Sequence, residues 1–177
     1  VAGYLRGQGV VVSLGHTNAD FETASAALRG NFTHVTHTFN AQKGFHHRDP
    51  GVFGGILASD DVTAELIADT VHVHPGAMKL LIRSLGTDRV VLITDANAAA
   101  GLPDGTYEIG GRKRIVKDGR SVLEDGTIAG STATMDACVR NVHQIVGVPL
   151  PEAVRMASLN PARAMGLAGR IGSLHQG

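Results

Sequence analysis

Apolar and polar positions fall in blocks that read as strand, helix, strand, helix along most of the chain. Residues 10–14 are apolar except for Ser13 and stop at Gly15-His16, the pattern of a buried strand that delivers a side chain at its carboxyl end. Residues 20–30 have helical spacing, with Ala24, Ala27 and Leu28 turned inward and Gly30 as a stop. Residues 33–39 alternate, so a strand there puts Val35, His37 and Phe39 on one face and His34 on the other. A polar loop over residues 40–51 leads into a short helix at 52–58, and residues 62–68 predict a third strand. Pro75 opens a helix that Gly86 closes, and residues 89–94 predict a fourth buried strand ending at Asp95.

The pattern then changes. Residues 106–127 are rich in glycine and short β-branched runs, with turns at Gly110-Gly111, Asp118-Gly119 and Asp125-Gly126, which predicts a β-hairpin insertion. Helices return at about 131–146, 151–157 and 161–165, and the closing "GRIGSLHQG" reads as the opening of another strand. Four successive βα units predict a parallel α/β sheet with right-handed crossovers. A closed eight-stranded barrel typically takes ~250 residues, and this chain carries about half its strands.

With 177 residues, 43% hydrophobic and 18% charged, the chain is long and apolar enough for one real core. Sixteen basic residues balance sixteen acidic ones, which excludes a broad electrostatic footprint for nucleic acid or an anionic membrane. Any bound anion is therefore expected to be held locally. The single cysteine, Cys138, excludes an internal disulfide framework and fits a reducing, cytoplasmic setting. No charged leader precedes an apolar core, and no apolar run is long enough for a bilayer.

Candidate chemistry stands at the predicted strand ends: His16 after the first strand, His37 near the end of the second, Asp69 and His72 after the third, Asp95 after the fourth. Parallel strands present all their carboxyl ends on one rim, so these groups converge from distant parts of the chain. Solvated loop residues are the bland alternative. Two imidazoles with a carboxylate suit Zn²⁺ or a similar metal able to lower the pKa of bound water to about 7. A nearby carboxylate can take that water's proton and return it to a leaving group. Arg48, within "HHRDPG", is a planar donor suited to phosphate, although a surface arginine in an ordinary turn has the same sequence signature.

In order and in register, "GHTNA", "THTFNA", "HHRDPG", "IADTVHVHP", "LITDANAAAGLPDG", "GTIAGSTATMD" and "MASLNPARAMGL" resemble the N-acetylglucosamine-6-phosphate deacetylases of the amidohydrolase superfamily. The resemblance implies the second half of a metal-dependent (β/α)₈ barrel over residues 1–170, with residues 171–177 starting a strand of a small β-sandwich domain. It implies that His16 and His37 bind the metal, most simply Zn with Fe, Co or Mn as alternatives, and that Asp95 is catalytic. Asn40 and Ala41 match sugar contacts, and Arg48 matches the phosphate-binding arginine, which in this family reaches a neighbouring subunit's site in a homodimer. Asp69, Thr70, Val71 and His72 match a substrate-lining segment. Ile128, Ala129 and Gly130 match the loop that covers the substrate. Three positions depart from the family pattern: Thr70 stands where glycine is usual, Gln42 where methionine follows "NA", and Asn97 where "TDAM" is common. The family's metal-binding glutamate and carbonyl-polarising histidine match nothing here and are expected upstream of Val1.

The implied partner is an amino-sugar phosphate, and the implied reaction releases acetate from its N-acetyl group. Two readings stay open beside it: an amidohydrolase acting on a cyclic amide or another N-acyl sugar, and a non-catalytic sugar-phosphate binder. His34 reads as structural from its opposite face; His46 and His47 as phosphate-pocket or solvated loop residues; His74, His143 and His175 as surface or packing residues. Cys138 lies in a predicted helix with no partner for nucleophilic chemistry.

Overall fold

The computed structural model describes residues 1–174. A short helix, α1 (Ala2–Gly7), precedes the first strand, an element the apolar pattern does not announce because none of its residues is buried. Four strands, β1 (Ser13–Leu14), β2 (His34–Val35), β3 (Thr63–Ile67) and β4 (Val90–Ile93), pair in parallel in that order. The register places Leu14 beside Val35, Val35 beside Ala64, and Ala64 beside Val90. This is an open arc of a parallel sheet rather than a closed barrel.

Helices α2 (Phe21–Gly30), α3 (Gly51–Leu57) and α4 (Pro75–Leu85) join successive strands. Asp20 caps α2 by accepting the Thr23 N–H at 2.9 Å. His74 caps α4 through its side chain just ahead of Pro75, which gives a surface histidine a definite local job. Helix α3 rests directly on α2 because Gly55 has no side chain: a Cβ there would stand 3.2 Å from Leu28 and 3.3 Å from the Ser25 nitrogen. Ser25, not Ala27, completes the buried face of α2, since the helix turns its small residues toward α3.

The core lies between sheet and helices. Val35, Ala64, Leu66, Val90 and Leu92 from the strands meet Ile56, Met78, Leu81, Val142 and Met156. Burying one such large side chain contributes roughly 1.5–3 kcal/mol. The other face of the sheet mixes buried apolar Ile67 and Val91 with polar groups: His34 Nε2 lies 3.0 Å from Glu65 Oε1, and its Nδ1 lies 2.5 Å from Thr63 Oγ1.

Three sequence expectations need correction. The second strand stops at Val35, two residues short of His37, because the chain leaves the sheet in left-handed turns at His37 and Phe39. The predicted hairpin is a three-stranded antiparallel sheet, β5 (Gly105–Ile109), β6 (Arg112–Lys117) and β7 (Arg120–Leu123), joined by the two glycine turns. The predicted helix at 131–146 begins only at α5 (Met135–Asn141) and widens into a π-helical turn over Val142–Val146, while residues 131–134 stay outside the helix.

Helices α6 (Leu150–Ala157) and α7 (Leu159–Ala164) close the described structure, with buried Asn160 donating to the carbonyls of Thr87 and Val90. The strand expected from residue 171 falls on bends and coil at 171–174 and on residues 175–177, which lie outside the described residues, as does His175. No helix among the described residues is long and apolar enough to cross a membrane.

Candidate active site

Six non-glycine residues with positive φ follow the strand ends: His16 (45°), His37 (29°), Phe39 (77°), Ala41 (50°), Thr70 (67°) and Asp95 (49°). An L-residue held in this region costs roughly 1–2 kcal/mol, and such strain collects where a structure must aim particular side chains. Here it aims them at one rim. Gly15 permits the turn at His16, since a Cβ on it would stand 2.9 Å from the Thr36 side chain. The loops after β1 and β2 are then zipped together: Thr17 donates its N–H to the Ala41 carbonyl at 3.0 Å, and Lys43 donates to the Thr17 carbonyl at 3.2 Å.

The result is a facing pair of imidazoles. His16 Nε2 and His37 Nε2 stand 2.9 Å apart, with ring centroids 4.7 Å apart and planes at 71°. The other nitrogen of His37, Nδ1, is buried without a hydrogen-bond partner. Two ring nitrogens aimed at one point suit a shared proton or a shared borderline cation. The donor chemistry therefore fits a divalent metal. No group of three or more His, Cys, Asp or Glu able to hold a metal occurs among the described residues, so the pair supplies two donors of such a site.

Behind this pair stands Glu65, a residue that sequence reasoning passed over because it lies within an otherwise apolar strand. Its carboxylate accepts the His37 backbone N–H at 3.0 Å and bonds the His34 ring, which fixes the strained turn at His37. Burial raises the Glu65 pKa, but the His34 ring and the His37 N–H outweigh it and hold the carboxyl below its ordinary value.

The loop after β3 is built around Asp69. Its Oδ1 accepts the N–H groups of Val71 (2.9 Å) and His72 (2.8 Å), and its Oδ2 meets His72 Nδ1 at 2.6 Å. Burial pushes the Asp69 carboxyl up, and the bonds from the His72 ring, His72 N–H and Val71 N–H more than reverse it, leaving the pKa depressed. With Nδ1 engaged by the carboxylate, His72 presents Nε2 to the space in front of the rim. Asp69, Thr70 and Val71 form the turn that carries His72 and do not themselves line the cavity.

That cavity has a volume of about 620 Å³. It is lined by His16, His37, Asn40, Ala41, His72 and Asp95 from the parallel sheet's rim, and by Ile128, Ala129 and Gly130 from the loop after β7. Asp95 is exposed at its edge, and its backbone carbonyl accepts the Ser131 N–H at 2.8 Å, tying that loop to the end of β4. Ala96, Asn97, Arg114 and Thr127 complete the lining and were not singled out as site residues from sequence. The sequence of β6 carries no signal for Arg114, because three basic residues precede Ile115 and Val116 with no period of two, while the structure turns Arg114 inward with Val116 and leaves Lys113, Ile115 and Lys117 exposed.

Arg48 lies elsewhere. It is exposed on the loop before α3, with Nη1 2.7 Å from His47 Nε2, and does not reach the cavity of its own chain. Buried Cys138 has its thiol pushed up to about 11 by burial, which removes it as a nucleophile at neutral pH.

Residues 6–177 match the model of the amidohydrolase family. The chain belongs to the amidohydrolase family. It is 44% identical over 169 residues to the N-acetylglucosamine-6-phosphate deacetylase of Lysinibacillus sphaericus, covering 96% of this chain and 43% of that protein. It is 43% identical over 174 residues to the N-acetylgalactosamine-6-phosphate deacetylase of Escherichia coli O157:H7, covering 98% of this chain and 46% of that one. The crystal structure of N-acetylglucosamine-6-phosphate deacetylase from Pasteurella multocida superposes with a TM-score of 0.93 at 36% identity, over 99% of this chain and 47% of that structure. The chain thus spans less than half the length of these relatives, and its open four-stranded arc is one half of an amidohydrolase barrel.

Proposed function

We propose that these residues form the rim of a metal-dependent deacetylase that hydrolyses N-acetylglucosamine 6-phosphate to glucosamine 6-phosphate and acetate, in cytoplasmic amino-sugar catabolism. The observation that carries the reading is the 2.9 Å approach of the two histidine Nε2 atoms on the same cavity as Asp95. Family membership implies a divalent metal, and His16 and His37 are the residues that would hold it. Zn is the simplest choice for two imidazoles, with Fe, Co or Mn as alternatives. When bound between them, a divalent metal would supply Lewis acidity, for an acidified water and a polarised amide carbonyl.

The chain's own residues supply the rest. Asp95 takes a proton from the attacking water and delivers it to the departing amine nitrogen, which its place at the cavity edge permits. His72 Nε2 and Asn40 hold the sugar, and residues 128–130 cover it. Asp69 fixes the direction of His72. Arg48 reads the phosphate of a substrate bound in the neighbouring subunit of a homodimer, in keeping with its position away from its own cavity. The similarity to an N-acetylgalactosamine-6-phosphate deacetylase supports the C4 epimer as a second substrate reading.

The test is acetate release by the metal-loaded enzyme from N-acetylglucosamine 6-phosphate, its galactosamine epimer and both unphosphorylated sugars, with metal content measured in parallel. Turnover of a phosphorylated hexosamine that disappears together with metal in His16→Ala and His37→Ala is expected. Full metal occupancy in both variants would remove the assignment. Residues 1–177 alone leave β1 and β4 with open parallel edges and offer two metal ligands, so that piece by itself is expected to bind metal weakly and release no acetate.

A further inference from the structure

We propose that Asn97 and Arg114 are positioning residues, which together set the 128–130 loop over the cavity by gripping a single backbone carbonyl. The Ala129 carbonyl accepts from Asn97 Nδ2 at 2.9 Å and from Arg114 Nη1. Both donors come from outside the loop: Asn97 follows the end of β4 and Arg114 lies on β6. The same Asn97 amide nitrogen bonds Ser121 Oγ on β7 at 2.9 Å, and its oxygen accepts the Ala99 N–H at 2.8 Å. Asn97 therefore links the parallel rim, the antiparallel sheet and the loop at one point.

The backbone around this point is continuous with the rim. Ser131 donates to the Asp95 carbonyl at 2.8 Å, Asn97 donates to the Ser131 carbonyl at 2.9 Å, and Ala129 donates to the Ser121 carbonyl at 3.0 Å. Gly130, at φ 74°, packs so closely that a Cβ would stand 3.1 Å from Asn97 Cβ. To these backbone ties the two bonds on the Ala129 carbonyl add the side-chain anchors that come from outside the loop. Arg114 is the only Lys or Arg lining the cavity, and it forms no ion pair among the described residues; its buried Nε has no hydrogen-bond partner. A charged donor kept without a carboxylate, with its one protein bond made to the covering loop, is spent on that loop. A bond from a charged donor is also the stronger kind of grip on a carbonyl.

The inference rests on the deacetylase reading only for its kinetic readout. Two measurements on the metal-loaded enzyme separate the two ideas. First, amide hydrogen exchange without substrate is expected to speed up at least 10-fold at Ala129 and Ser131 in Arg114→Met and Asn97→Ala, with α4 and β3 unchanged. Unchanged exchange at those two amides overturns the proposal whatever the enzyme's substrate. Second, KM for the phosphorylated amino sugar is expected to rise roughly 10-fold in each single variant, with kcat within about 3-fold of the parent. The double variant should fall well short of the roughly 100-fold product, because both bonds end on one oxygen. Arg114→Lys, which keeps a charged donor, should restore most of the KM. A fall in kcat at constant KM, full multiplicativity, or a lysine variant no better than methionine would overturn it. If the parent releases no acetate from any amino sugar, the substrate reading fails while the exchange result still decides the clamp.

Discussion

The Asp69→Asn substitution isolates what one buried carboxylate does for the site. Asp69 and His72 side chains are 6% and 9% exposed, and the Oδ2–Nδ1 contact is 2.6 Å, so solvent screens it little. Asparagine keeps the volume and an oxygen for the Val71 and His72 N–H groups, but turns an amide N–H toward His72 Nδ1. The neutral imidazole must then move its proton to Nε2, and the face presented to the cavity changes from acceptor to donor. A hydrogen bond involving a charged group contributes about 1.5–3 kcal/mol, which corresponds to roughly 10- to 150-fold in a binding or rate constant. We expect kcat/KM to fall by that factor while the fold stays intact.

The pH dependence has a definite sign. The Asp69 pKa is depressed in the folded protein, so its contribution to stability is present above the unfolded value of about 3.9 and is lost as pH falls through the folded one. The stability gap between parent and variant should therefore be constant near neutrality and shrink in acid. Steady-state acetate release, thermal melts from acid to neutral pH and heteronuclear NMR of the His72 ring measure the three parts. Unchanged kcat/KM with an inverted His72 tautomer would refute the claim that Asp69 aims His72 at substrate.

Asp95→Asn should lower turnover about 10²–10⁴-fold with substrate binding retained, by kinetics and calorimetry; near-parental turnover would reduce Asp95 to a structural acid. Arg48→Ala should weaken the phosphorylated substrate roughly 10-fold or more while sparing the unphosphorylated sugar, and equal losses for both would return Arg48 to an ordinary turn residue. Thr70→Gly should stabilise the protein. Relief of the left-handed strain, roughly 1–2 kcal/mol, exceeds the extra unfolded-state freedom of glycine, about 0.4–1 kcal/mol. A melting temperature that falls instead would show that Thr70 makes a contact worth more than its strain.

The sequence shows α4 to the residue, because proline at its first position and glycine after its last leave no freedom at either end. It shows the carboxyl-end convergence of His16, His37, His72 and Asp95, since strand order and parallel pairing follow from the alternation of elements. It overextends β2, because alternation continues through His37 and Phe39 while the backbone has already left the sheet to aim them. That turn is set by Glu65, one register step along the neighbouring strand and 28 residues away, and no local pattern carries it. Arg114 and Asn97 stay hidden for the same reason: their shared acceptor belongs to a loop distant in sequence from both.

The distribution of strain explains why the site sits where it does. Six residues held at positive φ along one rim, at roughly 1–2 kcal/mol each, would amount to much of a domain's net stability of about 5–15 kcal/mol if nothing offset them. Bonds made to three of them provide local compensation. Glu65 bonds the His37 N–H, Thr17 bonds the Ala41 carbonyl, and Ser131 bonds the Asp95 carbonyl. Glu65 lies on β3, Thr17 on the loop after β1 and Ser131 on the loop after β7, so each strained turn depends on an element other than its own. The geometry of the rim is thus a property of several elements acting together, and removing one such bond should loosen the side chain that it helps to aim.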